Sequence, residues 1–318
     1  MNNLKKIGLT ALAASLVTTS AFAGALTVSG AASLGLKNTT GTKDSSSGKS
    51  FTMGNQITFD GSGELDNGLN VALSFTIDES DGDTTTTDGA ANGSIFDGHS
   101  VTISSDALGE FKFSGEGGKS AQGALAGGAA GDLWNNGTGI ATVVEASAGD
   151  NSMFYTLPEM MDGVEVTASL SPRKGNQDTH TSLAVVYTGV EGLELSFGQG
   201  DSGVPAAEIT STTMSASYAI GSITLAVSNN EADKNGADNR EVDAYQIAYT
   251  LTDDISVTYG KETFETVAAA TDEEVDSFGI SYTAGGMTLT ADTFEATGAG
   301  NTSGAKTERW SLGLAFAF

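Results

Sequence analysis

A chain of 318 residues with no cysteine, 42 glycines and three prolines cannot build a disulfide framework, a thiolate metal centre or a cysteine nucleophile. Its formal charge of −26 and pI near 4.1 exclude nucleic acid as a partner, because phosphate binding needs a basic surface. Hydrophobic residues make up 39%, below the roughly 45–50% of a typical soluble domain, which argues against one thick core.

The first element in chain order is an address. Met1 to Lys6 carries two lysines, Ile7 to Val17 is a short apolar run, and Ala21-Phe22-Ala23 gives the small-x-small pattern of a cleavage site. The apolar run falls well short of the roughly 20 residues that a membrane-spanning helix needs. Residues 1–23 are therefore expected to be a cleaved signal peptide, leaving 24–318 as one exported domain. Cleavage removes Lys5 and Lys6 and no acid, so 12 of the 14 basic residues remain against all 40 acids, net −28.

From Ala25 onward the pattern has a period of two, the mark of strands with two unlike faces. Leu69, Val71, Leu73, Phe75 and Ile77 alternate with Asn70, Ser74, Thr76 and Asp78. At the chain end, Trp310, Leu312, Leu314, Phe316 and Phe318 alternate with Arg309, Ser311, Gly313, Ala315 and Ala317. Read this way the chain holds sixteen strands, starting near 25, 51, 68, 98, 109, 152, 163, 181, 192, 211, 222, 242, 255, 276, 287 and 308. No helical period competes with them. Short connections (66–68, 106–109, 158–163, 189–192, 220–222, 252–254, 284–286) alternate with long polar ones near 38–50, 79–97, 115–151, 171–180, 199–210, 229–241, 265–275 and 297–307. Pro158, Pro172 and Pro205 all fall in connections, where a missing backbone donor does no harm.

An even strand count with tight turns at one end and long loops at the other describes a transmembrane antiparallel β-barrel of the Gram-negative outer membrane. A sheet survives in lipid only by closing on itself, since every backbone N–H and C=O must be paired. A soluble sandwich or solenoid is the alternative. It would have little reason for such regular alternation of loop lengths.

Several phrases resemble the Gram-negative general porins: LTVSGAASLGLK (26–37), ELDNGLNVALSF (64–75), DALGEFKFSG (106–115), FYTLPEMMDGVEVTASLSP (154–172) and the terminal Phe318. The resemblance spans nearly the whole mature chain. It implies a sixteen-stranded homotrimer whose third long loop, here 115–151, folds into the lumen and narrows it. In that family a basic residue commonly follows the Gly that ends the fifth strand, and this chain has Glu116 there. The resemblance also implies that the terminal Phe318, with Phe316 and Trp310 before it, is read by the outer-membrane insertion machinery.

Selectivity in a pore depends on the charges at its narrowest part. Lys112 shares the polar parity of the fifth strand with Glu110 and Glu116, and the loop adds Lys119, Asp132, Glu145 and Asp150. Its GALAGGAAGD stretch (123–132) is small enough to pack against a barrel wall. His99 and His180 are far apart, and neither is marked as part of a Ser–His–Asp set or a zinc site. Asp78, Asp81 and Asp83 form a weak calcium candidate without the spaced EF-hand pattern. GEGGKS (115–120) lacks the full spacing of a phosphate loop and any helix after it. No cofactor is called for.

The expected function is passive diffusion of small hydrophilic solutes and ions through a cation-preferring lumen, with membrane lipid around the wall. The alternatives are a substrate-selective channel, a barrel enzyme with a poor histidine supply, and a plugged adhesive barrel.

Overall fold

The computed structural model describes residues 26–41, 47–78, 96–125, 151–172, 179–202, 208–234 and 239–318. In chain order the strands are β1 (Leu26–Gly41), β2 (Gly48–Glu64), β3 (Asn70–Asp78), β4 (Phe96–Ser105), β5 (Gly109–Glu116), β6 (Ser152–Thr156), β7 (Val164–Ser171) and β8 (His180–Val190). They continue as β9 (Leu193–Ser202), β10 (Ile209–Ile220), β11 (Ile223–Lys234), β12 (Arg240–Thr252), β13 (Ile255–Thr266), β14 (Glu273–Ala284), β15 (Met287–Thr297) and β16 (Lys306–Ala317). Each pairs antiparallel with its sequence neighbours, and β1 pairs with β16 to close the barrel. Closure removes both sheet edges. At the seam Phe318 exchanges two backbone bonds with Gly30, at 2.7 and 3.0 Å, and its ring lies over the glycine.

Burial is inverted relative to a water-soluble protein. Leu34, Met53, Leu73, Phe197, Met214, Ile247, Phe278 and Leu312 are exposed on the outer face. Ser182, Ser211, Thr213, Asn230, Ser277 and Thr307 are buried on the inner one. Only a lipid solvent makes that arrangement stable: the outer side chains need no water, while the backbone pairs entirely within the sheet. At the short-turn end the outer face carries Tyr155, Tyr187, Tyr218, Tyr249 and Tyr282; nearer the long loops it carries Tyr245, Tyr259 and Trp310. Amphipathic rings at both borders of an apolar band are the expected girdles. From Tyr245 to Leu251 is six steps of about 3.3 Å, roughly 20 Å along the strand.

The sixteen strands, the short turns and the closure agree with the sequence reading. Strand ends are the correction. The connection read as 229–241 is largely strand, and those read as 199–210 and 265–275 lose residues to strand at both ends: β9 runs to Ser202, β11 to Lys234, β12 starts at Arg240, β13 runs to Thr266 and β14 starts at Glu273. Above the apolar band the outward face of these strands turns polar, with Glu231, Glu241, Asp243, Glu274 and Asp276 outward. A strand without an apolar outward face loses the expected period of two and reads as loop. The second correction is a helix where none was expected, α1 (Ala121–Leu125).

Candidate functional site

The inner wall is the polar parity, and the segment after β5 lies against it. β5 ends in a bulge: Ser100 pairs with Ser114, but His99 pairs with Glu116, so one extra residue enters between them. The chain turns inward through Gly117 to Ser120, whose hydroxyl accepts from Gly123 N at 2.8 Å and caps α1. This single turn follows the phosphate-loop-like GEGGKS, contrary to expectation.

Neutral groups on four strands fasten the helix. Ala121 N donates to Ser169 Oγ on β7 at 3.0 Å, and Gln122 N donates to Ser182 Oγ on β8 at 3.2 Å. Gln122 Nε2 donates to Thr213 Oγ1 on β10 at 2.7 Å, and that hydroxyl donates in turn to Asn230 Oδ1 of β11 at 2.8 Å. Gln122 is completely buried, as is Ala121. β9 makes room through Gly198, where a Cβ would stand 3.0 Å from both Gln122 Cα and Leu125 Cδ1. A side chain at that position would push the helix off the wall. The residues fixed in this way begin the loop expected to enter the lumen, and they do enter it.

The expected lumen charges fall in different places. Glu110 and Lys112 share the inner face of β5, opposite Ser104 and Thr102 of β4, and Asp78 stands inward on β3 opposite Gln56. Lys119 is exposed on the segment leading into α1. Glu116 departs from the expected parity: the bulge sets it across from His99, which itself faces Phe75 on the outer-facing side of β3. Alternation carried through Ser114 fails at one inserted residue. Asp81, Asp83, Asp132, Glu145 and Asp150 lie outside the described residues. Among the described residues no group of three or more His, Asp or Glu side chains is assembled for a metal. Trp310, Phe316 and Phe318 point outward on the last strand, as their alternation implies.

Sequence reasoning missed the fastening residues. Ser169, Ser182, Thr213 and Asn230 are ordinary members of polar strand faces, and no local pattern marks them. It also missed a second inward element. Phe264, Val275, Phe294 and Ala296 sit on the polar parity yet are buried, packed with Ala299 and Ala305 of the β15–β16 connection. Large apolar residues on the wrong parity were the available signal. Arg309 lies over the Phe294 ring at 4.4 Å, and beside it Ser311 donates to Asp292 on the same inner wall.

No curated protein sequence gives a significant match. Among solved structures the chain is similar to an anion-selective porin from Comamonas acidovorans (15% identity, 93% of this chain and 100% of that one, TM-score 0.67). It is similar to OmpT, an outer membrane protein of Vibrio cholerae in trimer form (17%, 93% and 100%, 0.66). A mutant of the Rh. blastica porin is a third (15%, 92% and 100%, 0.68). At these identities the likeness is one of fold. The sequence profile of the Gram-negative porins matches residues 8–274, so with the sixteen-stranded barrel and its inward loop the chain belongs to the Gram-negative porin family and resides in the outer membrane.

Proposed function

We propose that the barrel is a water-filled diffusion channel for small hydrophilic solutes and ions, narrowed by the loop that α1 pins to the wall. The observation that carries the reading is the neutral clamp of Gln122 on Thr213, which holds a loop inside a polar bore. No residue performs covalent work in this mechanism. A polar lumen sets which solutes enter, and the constriction sets their size. Residues 1–23 act as the signal peptide, 24–318 form the barrel, three copies associate, and the insertion machinery reads the terminal Phe318.

The lumen prefers cations. On the inner face of the described strands stand Asp60, Glu64, Asp78, Glu110, Glu165, Glu194, Glu262 and Asp292, against Lys37, Lys112, Lys234, Arg240 and Arg309. Low-dielectric walls focus such an excess of one sign across the bore and raise the local concentration of counter-ions. The anion preference named for the Comamonas porin belongs to that protein, whose likeness here is of fold. Swelling of barrel-containing liposomes in neutral sugars of increasing size tests the channel. A rate that falls steeply with sugar size is expected. No swelling in the smallest sugar would defeat the proposal.

A further inference from the structure

The connection between β15 and β16 closes on itself at the long-loop mouth. Gly298 N donates to Ala305 O at 2.9 Å, Thr302 N to Gly298 O at 3.0 Å, and Ala305 N to Thr302 O at 3.1 Å. Gly298, Gly300, Asn301 and Gly304 all take left-handed φ values, between 52° and 74°, which lets so short a segment fold back. The result is a compact flap, with Ala299 and Ala305 buried against Phe264, Val275 and Ala296 of the inner wall.

Two side-chain contacts seat it. Asn301 Nδ2 donates to the carbonyls of Phe264 at 3.3 Å and Thr271 at 3.1 Å. Gly300 N donates to Glu273 Oε2 at 3.0 Å, while Glu273 Oε1 is buried with no hydrogen-bond partner among the described residues. Glu273 is completely buried at the first position of β14, above the apolar band, whose first outward member on that strand is Phe278. Such a carboxyl is costly to ionise and cheap to keep protonated.

We propose that residues 298–305 are a proton-latched flap, seated on neutral Glu273 and loosened when that carboxyl ionises. Burial pushes the Glu273 carboxyl up from its ordinary 4.5 to about 7, with the Gly300 N–H pulling more weakly the other way. The charged groups that share the inner face with Glu273 on the packed elements are Glu262 on β13, Asp292 on β15 and Arg309 on β16, with Asp272 in the preceding connection, while Lys261, Asp276, Glu295, Lys306 and Glu308 lie on the outward face. Glu265 and Glu274 face outward, and the flap itself carries no charge. A carboxyl that binds its proton more tightly under the seated flap than after release strengthens the seat as pH falls. That strength is complete below about pH 4.5 and is lost as pH rises through about 7.

The absence of cysteine makes the flap easy to follow. Ala299→Cys, or Ala305→Cys if the first fails to assemble, is labelled with a membrane-impermeant thiol reagent in the intact barrel. Exposed Ser303→Cys serves as the rate reference at each pH. The relative labelling rate should rise by up to about tenfold per pH unit between 4.5 and 7 and then level off. Glu273→Gln in the same background should give a flat profile. A flat profile with Glu273 present, or an undiminished rise with Gln, would overturn the proposal. Neither outcome bears on whether the bore conducts.

Discussion

Truncating Gln122 tests how the constriction is held. Gln122→Ala removes the 2.7 Å bond to Thr213 while leaving the backbone bonds of Ala121 and Gln122 to Ser169 and Ser182 intact. A neutral hydrogen bond contributes about 1 kcal/mol net, but a buried partner left short of its bond costs about 1–3 kcal/mol. Thr213 keeps its bond to Asn230 and loses the donor aimed at it, so about 2 kcal/mol is expected, roughly a thirtyfold shift toward the released loop. Single-channel recording reads this as higher open-channel noise and a larger mean conductance. Thr213→Val should do the same, and the double variant should cost less than the sum, because both changes break one contact. Single variants whose conductance and noise match the parent channel would refute the clamp.

Four further outcomes are expected. Gly198→Val, whose Cβ would meet Gln122 and Leu125 of α1, should enlarge the pore as Gln122→Ala does without lowering barrel yield; an unchanged conductance would show that α1 tolerates the contact. Deleting Phe318, or replacing Gly30 with Val where a Cβ would stand 2.4 Å from the Phe318 ring, should reduce heat-modifiable barrel in the outer membrane. Equal yield would remove the seam from assembly. Reversal potentials in a KCl gradient should give a K⁺ to Cl⁻ permeability ratio above one, and Glu110→Lys should lower it. Intact mass of the native protein should correspond to a chain beginning at Gly24, a start that retention of residues 1–23 would contradict.

How much of this was legible depended on whether a strand has two unlike faces. Where one face meets lipid, as from Leu69 to Ile77 or Trp310 to Phe318, the period of two gives the strand, its register and its outward side. Where a strand rises above the lipid, as at Asn229 to Asp233, the outward face is polar too and the pattern disappears, though the ladder with β12 continues as far as Ala232. A bulge is invisible for a related reason. Counting parity from Lys112 puts Glu116 inward, and only the pairing of His99 shows the inserted residue. The clamp was hidden because serine, threonine and glutamine on a lumen wall look alike whether or not a helix rests on them. The flap was closer to the surface of the sequence: Phe264, Val275 and Phe294 break the polar parity of three successive strands, which a bore open to water does not require.

An open aqueous bore is tested most directly by adding purified, heat-modifiable barrel to a planar lipid bilayer under voltage. Discrete current steps are expected, ohmic at low voltage and growing in proportion to the conductivity of the KCl solution, as diffusion through a water-filled constriction requires. Folded barrel that inserts yet gives no steps, or steps whose size saturates at low salt, would contradict a general diffusion channel.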